Sequence, residues 1–215
     1  ATGARDLAIA FPGWNQPGVM GAAALTMLLT RYDAFAGRRV LVLGSHDLAL
    51  ETALLALEKG IEVACLVEVR DAPQGSASLV EKLAAAGVGI HCGQSIQATK
   101  SGLEGVEGAT LTDGTAIACD TICVAIGLVP SIELVDAMHG PRTLNAQRGG
   151  YIPAGEPNVI TVGDCAGLAD TGFDHVAYRM DWVRAALKVN APDTIICQCE
   201  EVTLADLIGV QPPHY

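Results

Sequence analysis

Val40-Leu-Val-Leu-Gly44-Ser-His-Asp-Leu-Ala-Leu-Glu51 is the stretch whose reading decides the fold. Four apolar residues, Val40 to Leu43, read as a buried strand, and Gly44 breaks it. Asp47 to Lys59 then reads as a helix, with apolar positions at Leu50, Ala53, Leu54 and Leu57 on one face. Gly60 supplies its C-terminal stop.

A strand, a tight glycine turn and a helix make the first half of a dinucleotide-binding unit, whose helix N-terminus receives a pyrophosphate. The three fingerprint positions fall on Gly44, His46 and Ala49. Alanine suffices at the third, where only close helix–strand packing is needed. Histidine at the second is expected to weaken nucleotide binding, because backbone there must approach phosphate closely. Ser45 and Asp47 complete the candidate contacts of the turn.

Working outward, Ile61 to Val67 reads as a second parallel strand ending at Glu68. An acid there sits 19 residues beyond Ala49, near the spacing of about 20 at which a carboxylate hydrogen-bonds the adenosine ribose. Arg70 could instead favour a 2′-phosphate, but Glu68 tilts the reading to NAD. A solvated charge pair at a strand end is the alternative for both. Leu79 to Ala86 follows as a helix and Val88 to Cys92 as a third parallel strand. Gln94–Lys100, Leu103–Leu111 and Thr115–Cys119 form a meander with a hairpin signal at Asp113-Gly114, and Thr121 to Ile126 returns as a strand ending at Gly127.

Ahead of the central strand, residues 11–18 read as a loop and Val19 to Tyr32 as a helix. Behind it come a turn at 127–131, a short helix over Ile132–Met138 and a loop-like stretch over 139–158. Val159 to Gly167 then reads as an apolar strand closed by Gly163-Asp164. Asp174 to Asn190 is expected to be one amphipathic helix; a tail with Cys197 and Cys199, a short helical piece and Pro212-Pro213 ends the chain.

Composition agrees with an α/β protein: half of the 215 residues are hydrophobic, 17% are charged and 24 are glycine. The formal charge of −11 argues against a nucleic-acid or anionic-membrane partner. Seven cysteines, an odd number and mostly within apolar runs, point to a reducing, cytoplasmic setting rather than a disulfide framework. The uncharged residues 7–30 are interrupted at Pro12, Asn15, Gln16 and Pro17, which leaves too short an apolar run to span a bilayer.

Several separated motifs then agree with one another. Ala1-Thr-Gly-Ala4, the modified fingerprint at 44–51, Asp120…Gly127-Leu-Val-Pro130 and Thr161-Val-Gly-Asp164 occur in the order found in two-dinucleotide-binding-domain flavoproteins of the pyridine nucleotide-disulfide oxidoreductase type. More narrowly, the chain resembles the α subunits of sarcosine oxidase and of opine, proline and cyanide-forming amine dehydrogenases. Phe11-Pro-Gly-Trp-Asn-Gln-Pro-Gly-Val-Met20, His46-Asp47, Val67-Glu-Val-Arg70 and Cys197-Gln-Cys-Glu-Glu-Val-Thr203 carry that resemblance.

The resemblance implies a nicotinamide-type Rossmann-like domain over 34–127, inserted into an FAD-type domain whose parts are 1–33 and 128–194, with 195–215 the start of an iron–sulfur segment or a tail. It implies NAD and FAD as cofactors, with Asp164 hydrogen-bonding the flavin's ribityl chain; an Asx turn or helix cap is the alternative reading of Gly163-Asp164. Cys197 and Cys199 would be half of a [2Fe–2S] ligand set in a longer chain. The family's first flavin strand would precede Ala1 and its second cysteine pair would follow Tyr215, so a fragment of a longer protein is expected, inactive by itself. The implied role is dinucleotide binding or electron transfer beside a flavin-containing catalytic subunit, or within a homo-oligomer. An NADH-dependent reductase of an electron carrier, and a non-catalytic scaffold with a decayed nucleotide site, are the alternatives. No catalytic acid or base is assigned, since the cofactor would carry the chemistry.

Overall fold

A computed structural model describes residues 2–155 and 159–210. The chain begins with β1 (Ala4–Asp6) and β2 (Val19–Gly21), then α1 (Ala22–Met27), which continues as a π-helix over Leu28–Tyr32. The central run follows: β3 (Arg39–Leu43), α2 (Asp47–Glu58), β4 (Glu62–Glu68), α3 (Ala77–Ala85) and β5 (Ile90–Cys92). A meander of β6 (Ile96–Gly102), β7 (Gly105–Leu111) and β8 (Ala116–Ala118) leads into β9 (Thr121–Val124) and β10 (Leu128–Pro130). The remainder is α4 (Glu133–Ala137), β11 (Arg142–Asn145), β12 (Gly150–Pro153), α5 (His175–Val189), β13 (Ile195–Cys197), β14 (Val202–Thr203) and α6 (Leu204–Val210).

The fold is the expected α/β one, a parallel sheet in the order β2-β9-β3-β4-β5 with an antiparallel meander. Its central strand β3 pairs with β9 (Val40 opposite Thr121) and with β4 (Arg39 opposite Glu62). Because side chains alternate along a strand, β3 serves two cores. Val40 and Val42 face a layer that includes Leu25, Leu29, Leu50, Ala53 and Leu83 from the three helices behind the sheet. Leu41 and Leu43 face the other layer, with Val106 and Leu111 of the meander and Tyr178, Trp182 and Ala186 of α5. Both faces are buried, which is why Val40–Leu43 reads as a continuous apolar run. Each fully buried leucine contributes about 1.5–3 kcal/mol.

Two aspartates fix how elements enter the sheet. Asp120, at the head of β9, accepts hydrogen bonds from the Arg38 and Arg39 amides and so aligns the start of β3. Asp6 accepts from the Ala23 and Ala24 amides, satisfying donors that the first turn of α1 leaves open.

Three segments differ from the sequence expectation. Val19 to Tyr32 is not one helix: Val19–Gly21 adds a parallel edge strand to β9, and the helix begins only after Gly21. The backbone carbonyl of Gly18 accepts from the Ile122 amide, so sheet pairing outweighs helix propensity over these three residues. The stretch 139–158 is not loop throughout, since β11 and β12 form a hairpin with Leu144 opposite Tyr151; residues 156–158 lie outside the described residues. Its turn is a short 3-10 segment, capped where Asn145 Oδ1 accepts from the Arg148 amide. The apolar run 159–167 forms no extended strand among the described residues; Ile160 and Val162 are exposed, and Gly163–Ala166 is a 3-10 turn. An apolar run becomes a strand only where a neighbouring ladder accepts its backbone groups.

Smaller differences are the antiparallel pairing of β10 with β1 within the expected 127–131 turn and the shorter α4. Pro212-Pro213 lies outside the described residues. Among the described residues no helix is long and apolar enough to cross a membrane.

Candidate dinucleotide-binding cleft

The turn after β3 is built as its sequence suggests. Gly44 has φ +110°, and a β-carbon there would stand 2.5 Å from the Ala125 carbonyl oxygen, so only glycine fits. Its amide donates to the Val67 carbonyl at 2.8 Å, tying the turn to β4. Ala49, at the third fingerprint position, is fully buried against the sheet.

Beside the turn lies a cleft of about 590 Å³, lined in part by His46, Asp47, Gln74, Ser76, Thr171 and His175. His46 is the N-cap of α2: its Nδ1 accepts from the Leu48 amide at 3.3 Å. The ring is buried against Phe173, His175 and Tyr178, with centroids at 5.2, 6.0 and 5.5 Å. Burial, reinforced by the neighbouring His175 imidazole, pushes its pKa down to about 4. At neutral pH His46 therefore brings no positive charge to the helix N-terminus. Asp47, in the first turn, uses Oδ1 to accept from the Ser76 amide at 2.7 Å. Its charge favours the helix dipole and disfavours a second anion at the same place.

Glu68 is where the spacing places it, at the end of β4, but it points inward and is fully buried. Its Oε2 accepts from the Ser45 hydroxyl and from Tyr178 Oη, the latter at 2.7 Å, and its Oε1 accepts from the Arg70 amide at 2.9 Å. The Ser45 amide in turn donates to Tyr178 Oη at 3.2 Å. Burial, and then the Glu68 carboxylate, drive the Tyr178 phenol upward, so it stays a donor at any accessible pH. Arg70 is not a free surface cation: its Nε and Nη2 meet Asp181 Oδ2 at 2.9 Å, Nη1 donates to Gln74 Oε1, and its guanidinium lies 5.1 Å from the Tyr178 ring centroid.

The structure thus brings Gly44, Ser45, His46, Asp47, Glu68 and Arg70 together, and adds Tyr178, which sequence reasoning missed. Its only sequence signal is an apolar stripe at Tyr178, Trp182 and Ala186, which reads as core. Gly127, with φ +140°, two residues past the Ala125 that packs on Gly44, lies beside Arg179, whose guanidinium donates to the Gly149 and Leu128 carbonyls. Gly163 and Asp164 sit in the exposed 3-10 turn packed near β10 and β12, where a β-carbon on Gly163 would meet none of the described residues within 4 Å.

Cys197 and Cys199 present thiols 3.0 Å apart on the β13–β14 hairpin. That hairpin is held to the 11–18 loop, where Trp14 Nε1 donates to the Ile195 carbonyl at 2.6 Å and Gln198 Nε2 to that of Asn15 at 3.3 Å. Among the described residues no group of three or more His, Cys, Asp or Glu side chains could hold a metal, so the pair does not fit a complete cluster here.

A family model for the pyridine nucleotide-disulphide oxidoreductases matches residues 1–188. The chain belongs to this family. As a pyridine nucleotide-disulphide oxidoreductase it is 29% identical over 212 residues to rhodocoxin reductase of Rhodococcus erythropolis, a match covering 94% of this chain and 48% of the relative. It is 28% identical to the α subunit of sarcosine oxidase from Rhizobium meliloti, over 80% of this chain and 17% of that one. A ferredoxin reductase from Rhodopseudomonas palustris superposes with a TM-score of 0.52 at 26% identity, covering 66% of this chain and 37% of the other. Thioredoxin reductase from T. acidophilum shares the fold, with a TM-score of 0.58 at 15% identity over 87% of this chain and 62% of the other. The chain spans about half or less of the length of rhodocoxin reductase and of the sarcosine oxidase α subunit.

The family binds FAD and NAD(P). At the Gly44 turn of this chain the groups suited to a pyridine dinucleotide are present but engaged. The Ser45 amide, the Glu68 carboxylate and the Arg70 guanidinium all bond to protein partners. A dinucleotide at this turn would have to take these groups from their protein partners.

Proposed function

We propose that this chain is part of an FAD- and NAD(P)-linked oxidoreductase of the amine-oxidising kind, resembling the α subunit of sarcosine or opine oxidases. It supplies the pyridine-nucleotide-type domain and works beside a flavin-containing catalytic subunit. The observation that carries the reading is the contact between the Phe11–Met20 segment and the Cys197–Thr203 segment. Gln198 Nε2, donating to the Asn15 carbonyl, joins the two stretches whose sequences most narrowly resemble those subunits, and Trp14 binds Ile195 just ahead of the second. Similarity to the sarcosine oxidase α subunit supports it, as does similarity to an opine oxidase polypeptide of Agrobacterium tumefaciens, at 21% identity over 99% of this chain. In this reading Gly44, Ser45, His46, Asp47, Ala49, Glu68 and Arg70 belong to the nucleotide side, while Gly127, Gly163 and Asp164 belong to the flavin side.

The test is a substrate screen on the natural gene product purified with its associated subunits. Sarcosine, proline or an opine should reduce a bound flavin, seen as bleaching of its visible absorbance. Reduction by NADH alone, with transfer to a ferredoxin-type carrier, would sink the amine reading. It would establish the second reading, a carrier reductase, which the match to rhodocoxin reductase over 94% of the chain favours.

A further inference from the structure

In α/β dinucleotide folds a ligand is received by backbone amides at the turn after the first strand and by an acidic side chain at the end of the second. In this chain both are already bonded, and to one atom. Tyr178 Oη accepts from the Ser45 amide at 3.2 Å and donates to Glu68 Oε2 at 2.7 Å. The phenol thereby presents one oxygen as acceptor to the turn and one hydroxyl as donor to the acid. A dinucleotide would offer the same two functions, a phosphate oxygen and a ribose hydroxyl.

The arrangement extends beyond that atom. Tyr178 is fully buried, its ring edge-on to His46 and packed on Phe173. One turn along α5, Asp181 holds the Arg70 guanidinium at 2.9 Å. The amide, the acid and the base that the sequence nominates for nucleotide contact therefore all face the first two turns of α5.

The seat is imperfect. Among the described residues, His46 Nε2 and His175 Nδ1, which line the cleft, and Arg179 Nε on α5 are buried without hydrogen-bond partners. Buried orphan polar groups are uncommon and each weakens the contact that encloses it. Arg70 and Asp181 are each about a third exposed, so water can reach that ion pair and help it part.

We propose that Tyr178 is an internal occupant of the dinucleotide cleft, and that a pyridine dinucleotide binds only by displacing the N-terminal turns of α5. The proposal rests on the nucleotide-binding half of the proposed function. Helix α5 and the ligand compete for one set of groups, so apparent affinity is reduced by the fraction of molecules with α5 seated.

NADH is titrated calorimetrically into the 215-residue chain and into Tyr178→Phe and Asp181→Asn variants, with circular dichroism to confirm folding. Amide hydrogen exchange over 175–182 is followed with and without NADH. Each substitution removes a polar contact of the seated helix and should tighten NADH binding by about tenfold. In the wild type NADH should accelerate exchange in those turns. If Tyr178→Phe fails to fold, Asp181→Asn carries the test alone, because it leaves the buried phenol in place. Equal affinity in all three proteins, with unchanged exchange, would overturn the occupant and leave the dinucleotide reading standing. No binding of millimolar NADH by any folded variant would overturn both.

Discussion

Tyr178 Oη lies 2.7 Å from Glu68 Oε2, a buried contact between residues 110 positions apart that joins α5 to the end of β4. It gives a carboxylate taken wholly out of water one of its donors, the others coming from the Ser45 hydroxyl and the Arg70 amide. A buried charge is tolerable only when its acceptor sites are filled. Tyr178→Phe keeps the ring and deletes the hydroxyl, leaving the Ser45 amide without its partner as well. Unfolding in urea should show a loss of about 1.5–3 kcal/mol, as for hydrogen bonds to charged groups. A loss below about 0.5 kcal/mol, the range of an ordinary surface change, would mean that water replaces the phenol.

The central turn was legible in the sequence because its causes are local. Val40–Leu43 is apolar at every position, and Gly44 is required by a φ of +110° and a carbonyl 2.5 Å from any β-carbon. The position of Glu68 was legible for the same reason; its environment was not. What surrounds it comes from Ser45, 23 residues away, and from Tyr178, 110 residues away, and no periodicity carries that information. The two misread apolar segments fail in opposite directions. Val19–Gly21 has a neighbour, β9, and becomes a strand despite three residues of length, whereas Ile160 and Val162 have no ladder among the described residues and stay exposed.

Gly44→Ala follows from that geometry. The added methyl would stand 2.5 Å from the Ala125 carbonyl oxygen, which belongs to the sheet layer and cannot retreat cheaply, and alanine disfavours positive φ. A destabilisation of at least about 3 kcal/mol is expected, read as a lowered urea midpoint or as loss of folded protein. An unchanged midpoint would require the β3–α2 turn to differ from the one described. Gly60→Ala is the matched control: it also has positive φ, but a β-carbon there meets none of the described residues within 4 Å, so only the smaller backbone strain applies.

His46 predicts a pH dependence of stability whose sign is fixed. Unfolded, the imidazole titrates at its ordinary 6.5; folded, burial and then His175 lower it to about 4. Between these values the unfolded chain binds more protons, so acid favours unfolding. The contribution is fully present above about pH 6.5 and is lost as pH falls toward 4. His175, also lowered by burial and then by Arg179, acts in the same direction. Carboxylates titrate within part of this window, so the decisive quantity is the difference from His46→Asn, which retains a side-chain acceptor for the Leu48 amide. The variant's stability should fall less between pH 7 and 4.5, by an amount on the order of 2–3 kcal/mol. Parallel curves would show that His46 is not held neutral by its surroundings.

Thiol chemistry separates the cysteines by environment. Burial raises Cys65 to about 11 and Cys119 to about 12, and it raises the fully enclosed Cys123 further, so none of these is a thiolate near neutrality. On the β13–β14 hairpin the thiols lie 3.0 Å apart; the Cys199 thiol, followed by the Glu200 amide, holds Cys197 below its ordinary value, while Cys199 is raised in exchange. Iodoacetamide at pH 7, followed by peptide mass spectrometry, should therefore label Cys197 first and leave Cys65, Cys119 and Cys123 unmodified until denaturant is added. Cys199→Ala removes the donor, so labelling of Cys197 should slow several-fold as its thiolate fraction falls. The same substitution should leave the unfolding midpoint within about 0.5 kcal/mol of wild type, because Cys199 is exposed. Unchanged labelling of Cys197 would mean that the Glu200 amide alone sets its reactivity.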